Sequence, residues 1–191
     1  ENHEGDVRQF TYGDLKQLTN GWARFLRGQV AVKPLDRVCL FLDRIPELYI
    51  GFMGVLKTGA VVEPLFSAFG EDALIARMLD SRATAIITQR RHIAKVRKAR
   101  ERLPDLRTII VVDHDEDGRK LRDGEVSYRM EDHRADDYEV AATDPESPSV
   151  LHYTSGTTGA PKGATHVHGS LFAQYLTTQL VLDVKDDDVY W

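Results

Sequence analysis

Apolar residues run along the chain in two alternating rhythms. After Phe10-Thr11-Tyr12, residues Leu15, Leu18, Trp22, Phe25 and Leu26 recur at spacings of three and four, which predicts an amphipathic helix with Trp22 in its core stripe. Asp14 stands near its start, where a carboxylate suits the helix dipole. Residues 38–42 are then apolar without a break, the length of a parallel strand buried on both faces. Pro46 suits the first turn of a second helix, which carries Leu48, Tyr49, Phe52, Met53, Val55 and Leu56 and can end at Gly59. Val61-Val62 is a short strand leading into Glu63-Pro64. A helix over 71–81, a strand over 84–88, a basic helix over about 92–102 and a strand over 108–112 repeat the alternation.

Helices alternating with short, β-branched apolar strands predict an α/β fold, a mainly parallel sheet with helices on both faces. Its strands are expected near 38–42, 61–62, 84–88, 108–112 and 149–153. Residues 113–148 break the rhythm. Between Asp113 and Glu146 there are thirteen acids against five Lys and Arg. This segment is expected to be a solvated acidic connection within a single domain spanning 1–191, with a short helical or strand piece inside it. Asp113-His114-Asp115-Glu116-Asp117 lacks the spacing of an EF-hand, so no metal site is assigned. A last helix is predicted over 168–180, with Leu171, Phe172, Tyr175, Leu176 and Leu180 on its apolar side.

Composition changes this picture little. The chain has 191 residues, a formal charge of −5, 42% apolar and 29% charged residues. The acidic balance argues against a nucleic-acid surface, and the basic helix, with Lys95, Arg97, Lys98, Arg100 and Arg102 and no interleaved aromatics, reads as a solvated outer face. Cys39, the one cysteine, lies in an apolar run and is expected to pack in the core. A reducing, cytoplasmic compartment fits it. No apolar stretch reaches the ~20 residues of a membrane span, and no secretory signal opens the chain. The chain opens at Glu1-Asn2 and closes on the apolar Val189-Tyr190-Trp191, which reads as truncation at both ends.

The candidate chemistry is concentrated in Tyr153-Thr154-Ser155-Gly156-Thr157-Thr158-Gly159-Ala160-Pro161-Lys162-Gly163. Eleven positions hold four small hydroxyl residues, three glycines and a lysine. Glycines let backbone N–H groups approach an anion, hydroxyls add neutral donors, and Lys162 adds a charge on a mobile stem. Gly, Ser, Thr and Pro also build ordinary surface loops. The preceding apolar Ser149-Val150-Leu151-His152 and the density of hydroxyls favour a phosphate cradle. It is not the G-x-x-x-x-G-K-[ST] loop, because Gly163 follows Lys162 and 164–167 looks extended rather than helical.

This stretch resembles the signature loop of the adenylate-forming enzymes, the superfamily of acyl-CoA synthetases, luciferases and peptide-synthetase adenylation domains, whose pattern is close to Tyr or Phe followed by TSGTTGxPKG. The run Leu56-Lys57-Thr58-Gly59-Ala60-Val61-Val62-Glu63-Pro64-Leu65 is similar to their earlier LKxGAxxxPL motif, and Phe66-Ser67-Ala68-Phe69 resembles the acetyl-CoA synthetase branch. His166-Val167-His168 stands where such enzymes often carry H-x-H or H-x-N. The resemblance covers nearly the whole chain, as the N-terminal part of the large domain.

It implies an AMP-forming acyl-CoA ligase, most like acetate–CoA ligase, using ATP with Mg2+ and CoA as co-substrate. It assigns Thr154, Ser155, Gly156, Thr157, Thr158, Gly159 and Lys162 to the ATP phosphates, with Lys162 the catalytic residue. Related enzymes hold the 3′-phosphate of CoA with surface arginines, and Arg90 and Arg91 are the candidates here. The adenine motif Y-G-x-T-E, the ribose aspartate and the adenylation lysine of relatives have no counterpart within 1–191. The chain alone is therefore expected to be inactive and to need the remainder of its own chain as partner. The alternatives are a non-catalytic nucleotide-binding or structural remnant, or an adenylation enzyme with another acyl acceptor.

Overall fold

The computed structural model describes residues 7–113, 120–154, 161–185 and 187–188. Helix α1 (Tyr12–Gly28) starts at Thr11, whose hydroxyl accepts from the Asp14 N–H while the Asp14 carboxylate accepts from the Thr11 N–H. This reciprocal capping box satisfies donors that a helix start leaves open. Strand β1 (Arg37–Phe41) leads to α2 (Pro46–Lys57), with Pro46 in the first turn. Gly59 follows α2 at φ +76, a left-handed conformation that glycine adopts without a Cβ clash. Then come β2 (Val61–Pro64), α3 (Glu71–Ser81), β3 (Ala85–Thr88), a short turn Arg90–His92, α4 (Ile93–Arg100) and β4 (Thr108–Val111). Strand β5 (Glu125–Ser127), strands β6 (Pro148–Thr154) and β7 (Lys162–Val167), and helix α5 (His168–Val181) complete the order.

The strands make one sheet in the order β5-β4-β3-β1-β2-β6-β7. Every neighbouring pair is parallel except β6 with β7, which is antiparallel. The expected α/β sheet, mainly parallel with helices on both faces, is what forms, and the five expected strands are all present. Successive residues of each apolar run point to opposite faces. Leu40, Ile87 and Ile110 join Leu18, Trp22 and Ile50 of α1 and α2 on one face. Cys39, Phe41, Ile86 and Ile109 join Leu74, Met78 and Val96 of α3 and α4 on the other. Trp22 and Cys39 are both core residues, fully buried. Among the described residues no helix is long and apolar enough to cross a membrane.

Three regions differ from the sequence expectation. The acidic segment is not merely solvated. Its β5 pairs with β4, and Tyr128 and Met130 are buried. The Tyr128 ring stacks on Trp22 with centroids 3.7 Å apart. Gly21 of α1 makes room for this: an added Cβ would overlap the His133 carbonyl. The basic helix α4 is not just an outer face either. Arg97 donates twice to the buried Glu125 carboxylate at 2.7 Å, and Arg100 donates to the Asp123 carbonyl at 2.7 Å. Its arginines thus hold the start of β5, and Arg97 keeps the Glu125 carboxyl below its ordinary value. Finally, the apolar side of α5 is uncovered: Phe172 is 64% and Leu180 80% exposed.

Candidate functional site

Parallel strands deliver their carboxyl ends to one edge of a sheet, and open α/β sheets bind ligands there, where strand order reverses. Here β1 stands between β2 and β3, so the reversal lies at the ends of β1 and β3. Asp43 follows β1, and Gln89 through His92 follow β3. The Asp43 N–H donates to Gln89 Oε1 at 2.8 Å. The Asp43 carboxylate accepts from Arg91 at 2.8 Å and faces His92 Nε2 at 3.1 Å. Burial pushes the Asp43 carboxyl up, but the Ser67 hydroxyl, His92 and Arg91 outweigh it and leave it below the ordinary aspartate value. The Arg90 N–H donates to Asp113 at the end of β4, 2.6 Å away. Arg90 and Arg91 therefore do reach the carboxyl edge, with the Arg91 guanidinium paired to Asp43.

The second part of this edge is the end of β6. Thr154 closes β6 directly opposite Lys162, the first residue of β7. The Thr154 hydroxyl is 3.5 Å from the Lys162 carbonyl. Lys162 is exposed, and its ammonium has no ion pair among the described residues. Ser155, Gly156, Thr157, Thr158 and Gly159 lie outside the described residues. The structure thus brings Thr154 and Lys162 together as the two stems of the segment. It places Thr154 three and Lys162 four strand spacings from β3, roughly 14 and 19 Å across the sheet. The extended 162–167 stretch is a strand, so no helix opens after Lys162. Of the two histidines beyond it, His166 stays exposed, its ring edge-on to His152 at 5.7 Å. His168 Nε2 is buried without a hydrogen-bond partner among the described residues.

Sequence reasoning missed what lies beside this hairpin. Glu63 in β2 is 0% exposed and stands opposite Cys39 of β1. Its carboxyl is pushed up to about 8, chiefly by burial, although the Ser81 hydroxyl and Arg37 pull the other way. It is thus largely protonated at pH 7. Beside it, Arg77 of α3 lies over the Phe69 ring at 4.2 Å and the Tyr153 ring at 6.0 Å. Tyr153 Oη donates to Asp80 at 2.6 Å. An acid inside Val61-Val62-Glu63-Pro64 was a visible signal. Asp80 carried none, because 73 residues separate it from Tyr153. A cavity of about 420 Å³ between α4 and β5 is a poor site, since the Arg97, Arg100 and Arg122 lining it are matched by Glu101, Asp123 and Glu125.

A family model described as AMP-binding enzyme matches residues 2–191. The chain belongs to the AMP-binding enzyme family. The relatives of this AMP-binding chain include acetyl-coenzyme A synthetase of Bacillus subtilis (strain 168), 35% identical over 184 residues, which cover 96% of this chain and 31% of that protein. Acetyl-coenzyme A synthetase of Deinococcus radiodurans is 33% identical over 208 residues, 100% of this chain and 31% of that one. Among solved structures, Brucella canis acyl-CoA synthetase superposes with a TM-score of 0.86 at 23% identity, over 100% of this chain and 34% of that chain, a likeness of fold. An anthranilate CoA ligase in complex with anthranoyl-AMP gives a TM-score of 0.78 at 26% identity, over 91% and 32%. The chain spans about a third of the length of the curated relatives it matches.

Proposed function

We propose that this chain is the nucleotide-phosphate part of a longer AMP-forming ligase, which activates a short carboxylate, acetate first, and passes the acyl group to CoA. One observation carries the reading: the Thr154–Lys162 pair opens the hydroxyl-rich segment at the carboxyl edge of the sheet, with the lysine exposed and free of any ion pair among the described residues. The residues fit a polyphosphate, with hydroxyl donors on one stem and a cation on the other. Thr154, Ser155, Thr157, Thr158 and Lys162 contact the β- and γ-phosphates, and Gly156 and Gly159 keep the backbone close. A carboxylate oxygen attacks the α-phosphorus, the bond to pyrophosphate breaks, and the acyl-adenylate forms. The CoA thiolate then attacks the acyl carbonyl and AMP leaves. Neither step needs a nucleophilic side chain. The chain's part is charge stabilisation and orientation.

Arg90 and Arg91 are the proposed contacts for the CoA 3′-phosphate, and binding would draw Arg91 from Asp43. Mg2+ travels with ATP; among the described residues no group of three His, Cys, Asp or Glu stands together for a metal. The remainder of the protein supplies the adenine, ribose and acyl contacts and covers α5. A cytoplasmic enzyme agrees with the buried, unpaired Cys39. The test is carboxylate-dependent AMP release by the full-length protein across a panel running from acetate to anthranilate. AMP formed with a short acid supports the reading. ADP in its place, or no nucleotide product with any acid, sinks it.

A further inference from the structure

The β6–β7 hairpin forms the edge of the sheet beyond β2. Its two strands are paired from Pro148 to Thr154 against Val167 to Lys162, yet β6 meets β2 in register at Val62 opposite Val150, near its base. Beyond that point His152 and Thr154 are exposed, as are 162–166. Leu151 and Tyr153 turn the other way and are half-buried. Tyr153 is the outermost of the two, and it makes contacts in both directions. Its cross-strand partner is Gly163, and a Cβ added at Gly163 would stand 3.4 Å from Tyr153 Cε1 and Cζ. The ring therefore lies against the backbone that carries Lys162. At its far end the hydroxyl donates to Asp80 Oδ2 at 2.6 Å, near the C-terminal end of α3. A buried arginine of the same helix, Arg77, lies beneath the ring.

We infer that Asp80 and Tyr153 form a positioning pair, whose hydrogen bond ties the tip of the hairpin to α3 and so sets where Thr154 and Lys162 stand toward the nucleotide phosphates. The inference rests on the phosphate-binding reading of the hairpin. The physical reason is that a lysine acts on a phosphate through distance. Beyond Val150 the described residues show no further in-register pairing of β6 with β2, so the tip is held less tightly than the ladder below it, and fixing one distance lowers the entropy cost of binding. Neither residue touches the nucleotide; they act through the strand.

The test uses the full-length protein and four variants, Tyr153→Phe, Asp80→Ala, Asp80→Asn and the double Tyr153→Phe/Asp80→Ala. Pyrophosphate exchange, melting temperature and hydrogen exchange at the Gly163 amide are read together. Tyr153→Phe and Asp80→Ala each raise the KM for ATP about three- to tenfold, the range of one hydrogen bond. The double variant is no worse than either single one, and Asp80→Asn, which keeps an acceptor oxygen, returns most of the loss. Thioester formation from supplied acyl-adenylate holds its kcat, and the melting temperature holds as well. An unchanged KM for ATP in Tyr153→Phe overturns the pair, as do effects that multiply in the double variant, or a loss that follows melting temperature and is not rescued by Asn. If the wild-type protein shows no exchange at all, the proposed function fails instead. Hydrogen exchange then decides the pair: faster exchange at Gly163 in Tyr153→Phe upholds it, and unchanged exchange overturns it.

Discussion

The five strands β1 to β5 and helices α1 to α4 are made differently from the hairpin β6–β7 and α5 that follow them. In the first region both sheet faces are covered, and Leu40, Phe41, Ile86 and Ile87 are all 0% exposed. In the second, residues 162–166 and most of α5 face outward, with Phe172 at 64% and Leu180 at 80% exposure. A parallel strand needs neighbours and cover to exist, so burial dominates the first region. An antiparallel hairpin satisfies much of its backbone hydrogen bonding locally and can project. That independence leaves its outer positions open to the Thr154 hydroxyl and to Lys162, which has no ion pair among the described residues. Substitutions in the two regions should therefore differ in kind, stability in the first and chemistry in the second.

The largest effect is expected at Trp22, buried in the body and stacked on Tyr128 of the acidic segment. Trp22→Ala should cost about 3–5 kcal/mol by leaving a cavity between α1, α2 and that segment. Chemical denaturation measures the loss, and hydrogen exchange at 125–135 should accelerate with it. A cost below about 1 kcal/mol, at the level of a surface change, would mean the acidic segment is a loop resting on the body rather than part of it.

Glu63 comes next, and it sharpens the comparison because it lies in β2, the strand of the body beside β6. Its folded pKa of about 8 exceeds the ordinary 4.5, so the native state holds a proton that the unfolded chain has lost over that window. Stability from this group is complete below pH 4.5 and is lost as pH rises toward 8. Glu63→Gln removes that slope and should raise stability at pH 7 by up to about 3 kcal/mol, with no gain at pH 4. Thermal melts of both proteins from pH 4 to 8 give the answer, and parallel curves would mean that Glu63 finds solvent or a cation in solution.

The body was legible in the sequence because its signal is local. Four of its strands, β1 to β4, and the helices between them follow from runs and spacings that each fit within a dozen residues, and Pro46 and Gly59 marked the ends of α2 correctly. The acidic segment hid its role because Tyr128 and Met130 are two isolated apolar residues among charges, and Trp22, on which Tyr128 stacks, lies more than a hundred positions away. Separations of 28 and 73 residues likewise hid Arg97 with Glu125 and Tyr153 with Asp80. At the site, residue types and the motif named Thr154 and Lys162, and the structure pairs them. The sequence had no means of showing that Arg91 is held by Asp43, since that pair exists only because β1 and β3 are neighbours.

Lys162→Ala tests the chemical side of the contrast. An exposed lysine with no ion pair among the described residues contributes little to folding, so stability should change by less than about 0.5 kcal/mol. A charge-assisted contact to phosphate contributes roughly 1.5–3 kcal/mol, which is about a ten- to two-hundredfold loss in adenylation. Pyrophosphate exchange and melting temperature on the same full-length preparation separate the two. Unchanged exchange would take Lys162 out of the mechanism, and a collapsed melting temperature would move it into the structural class occupied by Trp22.

The smallest effect is expected at Phe172, and it tests whether the contrast belongs to the chain itself. The ring is a large apolar group on the exposed side of α5, beside Tyr175 with centroids 6.4 Å apart. In the 191-residue chain Phe172→Ser removes no buried contact, and stability should stay within about 0.5 kcal/mol. In the full-length protein the same substitution should cost about 2 kcal/mol or more if the remainder of the chain packs on α5, because a buried aromatic would then be lost. The comparison between the two backgrounds is the measurement. A cost in the longer protein alone makes α5 part of a core completed by later residues, so that the openness of the hairpin region is a property of this chain's span. Equal and small costs in both would leave the α5 face in solvent throughout, and the difference between the buried body and the projecting hairpin would then be intrinsic to the fold.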